Sequence, residues 1–368
     1  MLTDKRKYCI VAPLSALSIR TRLYKLANFL HYQKQCEISH VGWERVENES
    51  VEVNLDFSIK KRIILRGGGY GGSKIKLYYI LWMLKVFLYS FKIKKSDIIW
   101  ALGFESAFPL LLMSKLKGYK IIFDDADRFS MLFAFPRPIK KLLQYLEEFT
   151  SKNVYIHIVP GKERYDFYSP KIHELKNMPS RRVINKAKEN YNDSDYIKNK
   201  LVINVNGWLG EGRGMHVILQ IAKVLKEDVS IILVGKIDCE AALELSKMEN
   251  VQYLGEVSND KALETYLASD FVFTYYDPQH EINKYAESNK WGDAIKLGVG
   301  IIVNEEVLTA NYLNKANVTI SVPYDDVLQL TDRLSDIVNN NKKREYKSNI
   351  QSLSNKYGDF EEQLSKII

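Results

Sequence analysis

Residues 201–214 read Leu-Val-Ile-Asn-Val-Asn-Gly-Trp-Leu-Gly-Glu-Gly-Arg-Gly and lead directly into the helix-like segment 215–226. A short β-branched run thus enters a loop that carries Arg213 and four glycines, Gly207, Gly210, Gly212 and Gly214. Glycines let the backbone approach an anion, and the following helix start offers unpaired N–H groups and a positive dipole end. An arginine guanidinium adds donors that suit phosphate oxygens. The stretch predicts a diphosphate-binding loop, although a plain strand–helix turn has the same pattern.

The composition fits a globular protein with two α/β domains. A chain of 368 residues is long for one hydrophobic core, and 46% hydrophobic with 27% charged residues excludes a disordered chain. The three cysteines have neither disulfide-framework nor metal-site spacing, which predicts a reducing compartment. The N-terminus lacks the long apolar run of a signal peptide. We therefore expect a cytoplasmic protein.

Positive charge is concentrated in the first half of the chain. Residues 1–178 hold 30 Lys and Arg against 17 Asp and Glu, whereas residues 179–368 hold 23 against 28. This asymmetry predicts that the first half meets an anionic surface or ligand, and both nucleic acid and anionic lipid would fit. No RNP-like aromatic motif, zinc finger or basic-helix signature accompanies the charge. We therefore expect no nucleic-acid partner.

Strand-like and helix-like segments alternate along the chain. In the second half, strands are predicted at 201–205, 230–234, 251–254, 271–275, 300–303 and 318–321, separated by helices such as 238–248, 260–268, 290–297 and 325–339. The first half shows strands at 8–12, 36–41, 63–65, 97–100, 120–123 and 155–159. This alternation predicts two Rossmann-like, doubly wound parallel sheets that face each other across a cleft. We expect domains at 1–178 and 179–342, with the link within 178–200 and a final helical segment, 343–368, that crosses back to the first domain.

Residues 67–72, Gly-Gly-Gly-Tyr-Gly-Gly, match the dinucleotide pattern G-x-G-x-x-G between a strand and a helix. A dinucleotide site also needs an acidic residue about 20 positions further on, at the end of the next strand. The nearest acid, Asp97, opens that strand and would lie at the opposite edge of the sheet. We therefore expect a flexible loop near the cleft and no redox cofactor.

Residues 277–298 form a polar loop, a short helix and a glycine turn before the strand 300–303. Here the chain resembles retaining GT-B glycosyltransferases of the large family 4 (group 1) type. These commonly have a basic residue just before a glycine in a loop like 207–214. They also have a segment Asn-Lys-x-x-[Glu/Asp]-Ala, followed by Gly, before an apolar strand. Asn289-Lys290-Trp-Gly-Asp293-Ala and Gly298 match that form, and the resemblance extends over most of 155–325.

The resemblance implies a role for each matching residue. Arg213 would neutralise the diphosphate of a UDP- or GDP-linked sugar donor, and Lys290, beside Asn289, would add a second phosphate contact. Asp293 would accept hydrogen bonds from the ribose hydroxyls, as the second acid of the E-x7-E motif does; a solvated helix carboxylate is the alternative. Basic residues and helix dipoles would stabilise the leaving nucleotide with no metal or other cofactor. The family's front-face substitution needs no protein nucleophile.

The sequence departs from the family pattern at three positions. Tyr285 stands eight residues before Asp293, so the first acid of the motif is absent or displaced to Glu281 or Glu287. Trp208 stands where many relatives have an arginine. The histidines often found after the fourth strand of the first domain are missing, and Glu105 at the end of Trp-Ala-Leu-Gly-Phe-Glu is a catalytic candidate there.

Two aspartates follow the predicted strand 120–123, at the sheet edge where α/β proteins bind ligands. Asp125-Ala-Asp127 resembles the D-x-D pair with which some sugar transferases hold a metal–nucleotide complex. In one interpretation the cluster caps the next helix and Arg128 is its counter-ion. In the other, Asp125 or Asp127 is catalytic and contacts the acceptor hydroxyl or orients the reacting sugar.

Residues 73–95 form an apolar, aromatic segment flanked by lysines and interrupted by Lys85. Its uninterrupted apolar run is well below the about 20 residues of a spanning helix. One interpretation is a helix buried against the first sheet. The alternative is an interfacial helix with Trp82 and the tyrosines at headgroup level, which would dock the chain on anionic lipid.

Together these features predict a retaining glycosyltransferase that transfers sugar from a nucleotide-sugar donor to a saccharide or lipid-linked saccharide. By resemblance, the setting is bacterial surface-polysaccharide assembly (O-antigen, capsule or exopolysaccharide), peripheral at the inner face of the cell membrane. The acceptor would then be a saccharide on a polyprenyl diphosphate. Two alternatives are a nucleotide-sugar epimerase or hydrolase of similar fold, and an inactive GT-B scaffold, which Tyr285 and Trp208 would fit.

Overall fold

The computed structural model describes residues 6–52, 55–72, 74–197 and 199–368. The chain divides into two compact units, one ending at Leu175 and the other beginning at Lys176. Each unit contains one parallel β-sheet with α-helices in the connections. The prediction of two doubly wound α/β domains is confirmed.

The first unit is built on a seven-stranded parallel sheet in the order β3-β2-β1-β4-β5-β6-β7. Its strands are β1 (Lys7–Ala12), β2 (Glu37–Glu44), β3 (Lys60–Arg66), β4 (Ile98–Leu102), β5 (Lys120–Asp124), β6 (Ile156–Val159) and β7 (Ile172–Glu174). The helices are α1 (Thr21–Asn28), α2 (Ile75–Ser90), α3 (Phe104–Lys117), α4 (Phe129–Leu132) and α5 (Arg137–Asn153). Only β7 was not predicted, because this three-residue edge strand has two exposed positions and no apolar pattern.

The second unit has a six-stranded sheet in the order β10-β9-β8-β11-β12-β13, again all parallel. Its strands are β8 (Leu201–Leu209), β9 (Val229–Ile237), β10 (Val251–Tyr253), β11 (Phe271–Thr274), β12 (Gly300–Asn304) and β13 (Thr319–Val322). The helices are α6 (Arg181–Asn190), α7 (Met215–Val224), α8 (Glu240–Leu245), α9 (Asn259–Leu267), α10 (Asn289–Leu297), α11 (Asn311–Lys315), α12 (Val327–Asn339), α13 (Lys343–Lys356) and α14 (Phe360–Ser365). Each strand lies where the sequence predicted one.

The central strands of the second sheet are apolar because helices cover both of its faces. Every residue of β12 is buried. Ile302 packs in the same cluster as residues of α7 and α12, whereas its neighbours Ile301 and Val303 pack with residues of α10 and α13. A strand buried on both sides loses the polar–apolar alternation and becomes a short apolar run. The carboxyl ends of parallel strands share one sheet edge, which is where such sheets bind ligands.

The last helix, α14, and its N-cap residue Asp359 bond to the first residues of the second unit. The backbone N–H of Lys176 donates to Gln363 Oε1 at 3.1 Å, and Arg181 Nε lies 2.8 Å from Asp359 Oδ2. The helical nature of 343–368 is confirmed, while its crossing back to the first domain stays a prediction. No helix in the described part of the chain is long and apolar enough to cross a membrane.

The predicted helix at 73–95 is α2, and it has two different sides. Trp82 is fully buried, with its ring 6.1 Å from that of Trp43 and its Nε1 donating to Ser106 Oγ at 3.2 Å. The interfacial interpretation was therefore wrong to place Trp82 at headgroup level, because Trp82 faces the core. Leu84, two positions further along the same helix, is 55% exposed.

The glycine-rich segment 67–72 connects β3 to α2. Its Gly67 N–H donates to the carbonyl oxygen of Glu44 at 2.8 Å, and the ring of Tyr78 lies against Gly68. Asp97 directly precedes β4 and therefore lies at the amino end of that strand, as predicted. An acid at this edge is at the opposite end of the strand from a dinucleotide ribose. The absence of a redox cofactor stays a prediction.

Candidate functional site

The strand that leads into the glycine-rich loop is longer than predicted. Gly207 and Trp208 lie within β8, where the sequence analysis had placed a loop. The ladder continues because Gly207 pairs with Gly235 of β9, and a Cβ on Gly235 would lie 1.8 Å from the Gly207 carbonyl oxygen. A side chain at position 235 would clash with the Gly207 backbone, so the two strands can approach this closely only with a glycine there. The loop therefore begins at Gly210.

A tight turn joins β8 to α7. Gly210 precedes a single 3₁₀ turn, Glu211–Arg213, and Gly214 adopts a left-handed conformation with φ of 69°. The N–H of Gly214 donates to the Tyr324 hydroxyl at 3.1 Å, and that hydroxyl donates to the Glu211 carbonyl oxygen at 3.2 Å. The predicted glycine turn at a helix start is confirmed. Tyr324 holds the geometry of this turn, and no sequence motif pointed to that residue.

Gly214 is expected to be the least replaceable glycine of this turn. A Cβ there would lie 2.8 Å from Tyr275 Cβ and 3.1 Å from Phe273 Cζ, at a left-handed backbone position. The left-handed conformation costs a non-glycine residue about 1–2 kcal/mol, and overpacking adds about 1–3 kcal/mol. Gly214→Ala should therefore lower the free energy of unfolding by roughly 2–5 kcal/mol in a urea titration. Gly212→Ala is the matched control, because its Cβ would meet only Asp277 Cβ at 3.8 Å; equal losses in both variants would contradict the argument.

Arg213 and Lys290 line the same pocket. The Arg213 guanidinium lies over the ring of Tyr276, 4.3 Å from its centroid, and its Nη1 is buried without a hydrogen-bond partner. The Lys290 Nζ lies 3.4 Å from where a Cβ on Gly207 would be. The pocket is also lined by Asn206 and Trp208. Within the described ranges neither cation forms an ion pair.

The side chain of Asn304 holds the Tyr276 backbone in place beneath Arg213. The Tyr276 N–H donates to Asn304 Oδ1 at 2.9 Å, and Asn304 Nδ2 donates back to the Tyr276 carbonyl oxygen at 3.1 Å. Asn304 is the last residue of β12 and is fully buried. Sequence reasoning missed Tyr276, although an aromatic pair directly after an apolar strand was a usable signal. A guanidinium stacked on an aromatic ring is held in one orientation with its outer donors free for an anion.

The helix α10 brings the second predicted motif to this pocket. Ser288 caps it by accepting from the Lys290 N–H, and Asn289 is exposed in its first turn. Burial, and after it the charge of Asp293, raises the pKa of Tyr266 well above its usual value. Tyr266 accepts a hydrogen bond of 2.9 Å from Asn206 Nδ2. The charge of Asp293 therefore acts on Tyr266, which in turn bonds to the pocket residue Asn206.

The two candidates for the missing first acid lie in different surroundings. Glu287 is buried, its Oε2 lies 3.6 Å from Lys176 Nζ, and its Oε1 accepts from the Tyr312 hydroxyl at 3.3 Å. Glu281 is exposed in a 3₁₀ turn, Glu281–Tyr285. The charge of Glu287 is thus balanced by a buried lysine, which gives it a structural function whatever else it does. The role of either residue at a sugar stays a prediction.

The two aspartates after β5, Asp125 and Asp127, differ in how deeply they are buried. Asp125 is fully buried and accepts a hydrogen bond of 2.5 Å from the Tyr165 hydroxyl. The Asp127 side chain is 37% exposed and pairs with Arg20 at 3.0 Å. Arg128 pairs with Glu147, also at 3.0 Å. The capping interpretation was therefore wrong: Arg128 is not the counter-ion of these aspartates, and no side chain caps the N-terminus of α4.

Glu105 is a buried carboxyl in the first turn of α3. It is 5% exposed, and its Oε2 has no hydrogen-bond partner among the described residues. Burial raises its pKa to about 8. Arg45 lies nearby, stacked 4.0 Å from the Trp43 ring centroid and donating to the Tyr79 hydroxyl at 3.1 Å. A carboxyl with a raised pKa in the first turn after a parallel strand is a candidate acid–base group.

In the described part of the chain, no group of three His, Cys, Asp or Glu side chains is arranged to hold a metal ion. The metal-free donor site stays a prediction.

Known proteins resemble this chain in fold. No protein-family model matches the sequence, and a comparison with curated proteins found no match. A glycosyltransferase from Rickettsia africae ESF-5 is 12% identical with a TM-score of 0.66, covering 99% of this chain and 97% of that one. Anabaena HepE in complex with UDP is 12% identical with a TM-score of 0.68 and 98% coverage of both chains. The E. coli trehalose-6-phosphate structure bound with UDP-2-fluoro glucose is 10% identical, with the same TM-score and coverage. The fold is therefore GT-B, with two Rossmann-like domains.

Proposed function

We propose that this chain is a glycosyltransferase that transfers a sugar from a nucleotide-sugar donor to an acceptor hydroxyl. The observation that carries the proposal is the presence of Arg213 and Lys290 in one pocket, at the ligand-binding edge of the second sheet. Neither cation has an ion-pair partner in the described ranges. A nucleoside diphosphate leaves as an anion, and two fixed positive charges stabilise it as the glycosidic bond breaks.

The pocket suggests how the donor is held. The turn at Gly210, Gly212 and Gly214 has few side-chain atoms, so a diphosphate can approach the backbone there. Asp293 accepts hydrogen bonds from the ribose hydroxyls, and Asn289 lies one residue before Lys290 at the start of the same helix. Solved structures of the same fold hold UDP or UDP-2-fluoro glucose, which supports a uridine donor. A GDP-linked donor is the alternative.

The acceptor side of the proposal concerns the first unit. Glu105, with its raised pKa, acts on the acceptor hydroxyl, and the partly exposed Asp127 orients the sugar. Asp125 is buried under Tyr165 and acts as a positioning residue. The sequence resemblance supports a retaining, metal-free reaction. It also supports a saccharide acceptor on a polyprenyl diphosphate, in bacterial surface-polysaccharide assembly.

Calorimetric titration with UDP, GDP, ADP and CMP tests the donor site. We expect micromolar binding of one nucleoside diphosphate and no measurable binding of CMP, because two cations recognise two phosphates. Turnover of the corresponding nucleotide sugars is then measured with and without saccharide acceptors. Turnover without any acceptor would indicate a hydrolase or an epimerase. No binding of any nucleotide would contradict the proposal and indicate a scaffold protein.

A further inference from the structure

The outer side of α2 is apolar although it is exposed. Leu77, Ile80, Leu84 and Leu88 are each 55–61% exposed, and their spacing of three or four residues places them on one side of the helix. The opposite side, with the buried Trp82, packs against the core. A helix at the surface of a globular protein normally has polar residues on its outer side. We name these four residues the apolar stripe.

The neighbouring helix also exposes apolar side chains. α3 packs beside α2, and Lys117 Nζ donates to the carbonyl oxygens of Phe91 at 2.7 Å and Ile93 at 2.8 Å. These bonds hold the carboxyl ends of the two helices together. Leu112 and Leu116 of α3 are 47% and 80% exposed. Two adjacent helices thus present leucines to the solvent, which marks an interaction surface.

Lysines flank the apolar stripe, and in the described part of the chain no carboxylate forms an ion pair with four of them. Residues 75–95 contain no Asp or Glu. Exposed lysines occur within this segment at Lys76, Lys85, Lys92, Lys94 and Lys95. Those at 85, 92, 94 and 95 form no ion pair with any described residue. The one acid of α3, Glu105, is buried in its first turn, at the other end of that helix.

We infer that the apolar stripe and its lysines dock this chain on an anionic lipid bilayer, with α2 lying in the plane of the headgroups. The leucines enter the boundary between headgroups and acyl chains, while the lysines contact the lipid phosphates. Charge selects this occupant, because a second copy of the chain would bring the same lysines against each other. The inference does not rest on the proposed function, since docking requires no nucleotide. It differs from the sequence-based alternative because leucines, and not Trp82, contact the lipid.

Co-sedimentation with lipid vesicles tests the inference. One set contains phosphatidylcholine alone, and the other contains phosphatidylcholine mixed with phosphatidylglycerol. We expect the wild-type chain to bind the anionic vesicles at least about tenfold more strongly than the neutral ones. The triple variant I80Q/L84Q/L88Q should lose at least about tenfold of that affinity. Its positions are exposed, so the fold should persist, and thermal unfolding checks this.

Two further variants make the test specific. The matched control V224Q/L243Q/L328Q changes three exposed apolar residues of the second unit and should bind like wild type. K85E/K92E/K94E should lose the preference for anionic over neutral vesicles. Equal binding of the wild type and I80Q/L84Q/L88Q would overturn the inference, as would a wild-type chain that binds no vesicles. If the wild-type chain binds no vesicles but forms a dimer, and I80Q/L84Q/L88Q is a monomer, the apolar stripe is a self-association surface.

Discussion

Replacement of Arg213 by alanine is expected to weaken the binding of a nucleoside diphosphate by about 10- to 100-fold. The guanidinium is stacked on Tyr276, and its buried Nη1 has no hydrogen-bond partner in the described structure. A hydrogen bond to a charged group contributes about 1.5–3 kcal/mol, and about 1.4 kcal/mol corresponds to tenfold in affinity. The loss should be specific for phosphate, so calorimetry should show nearly unchanged affinity for the nucleoside alone.

Further variants separate charge from geometry in this pocket. Arg213→Lys keeps the positive charge but loses the bidentate guanidinium donor. Its affinity for the nucleoside diphosphate should lie between those of wild type and Arg213→Ala. Lys290→Ala should weaken diphosphate binding as well, and the double variant should be weaker than either single one. Arg344→Ala is the control, because this exposed arginine lies on α13, outside the pocket residues. Wild-type affinity in Arg213→Ala would exclude the proposed donor site.

Replacement of Glu105 by glutamine is expected to stabilise the fold and to impair turnover. Burial raises the pKa of Glu105 to about 8, above its ordinary value of 4.5. The folded state therefore holds a proton that the unfolded state releases, and stability falls as the pH rises from about 4.5 towards 8. Each pKa unit corresponds to about 1.4 kcal/mol, so Glu105→Gln should gain a few kcal/mol above about pH 8. The gain should disappear near pH 4, where the carboxyl is protonated in both states.

Turnover should change in the opposite direction. An acid–base group contributes about 10²- to 10⁴-fold to a rate, so Glu105→Gln should lower kcat by at least about 10²-fold with little effect on donor affinity. Urea denaturation across the pH range and initial rates at neutral pH measure the two effects on one protein sample. Glu47 is an exposed carboxylate of the same unit, so Glu47→Gln is the control. It should change neither the free energy of unfolding nor kcat. A stabilised variant with wild-type kcat would leave Glu105 a structural group only.

Much of the fold is visible in the sequence because it depends on local patterns. Short apolar runs separated by helical segments predicted twelve of the thirteen strands, and only the edge strand β7 lacked such a pattern. The glycine turn before α7 was also visible, because the left-handed backbone at Gly214 favours glycine. The Asn-Lys segment of α10 was visible through the family resemblance. The end of β8 was not visible in the sequence, because glycines normally interrupt a strand. Its continuation depends on Gly235 in another strand.

What the sequence determined by itself is the order of the elements, two parallel α/β sheets and the position of the glycine turn before α7. These follow from the spacing of apolar residues and glycines along the chain. Only the tertiary structure decided that Asp125 is buried while Asp127 is not, that burial raises the pKa of Glu105, and that α2 buries Trp82 and exposes its leucines. Burial and pKa depend on which distant segments surround a side chain. Helical periodicity gives the faces of α2, but contacts with the rest of the unit decide which face meets the core.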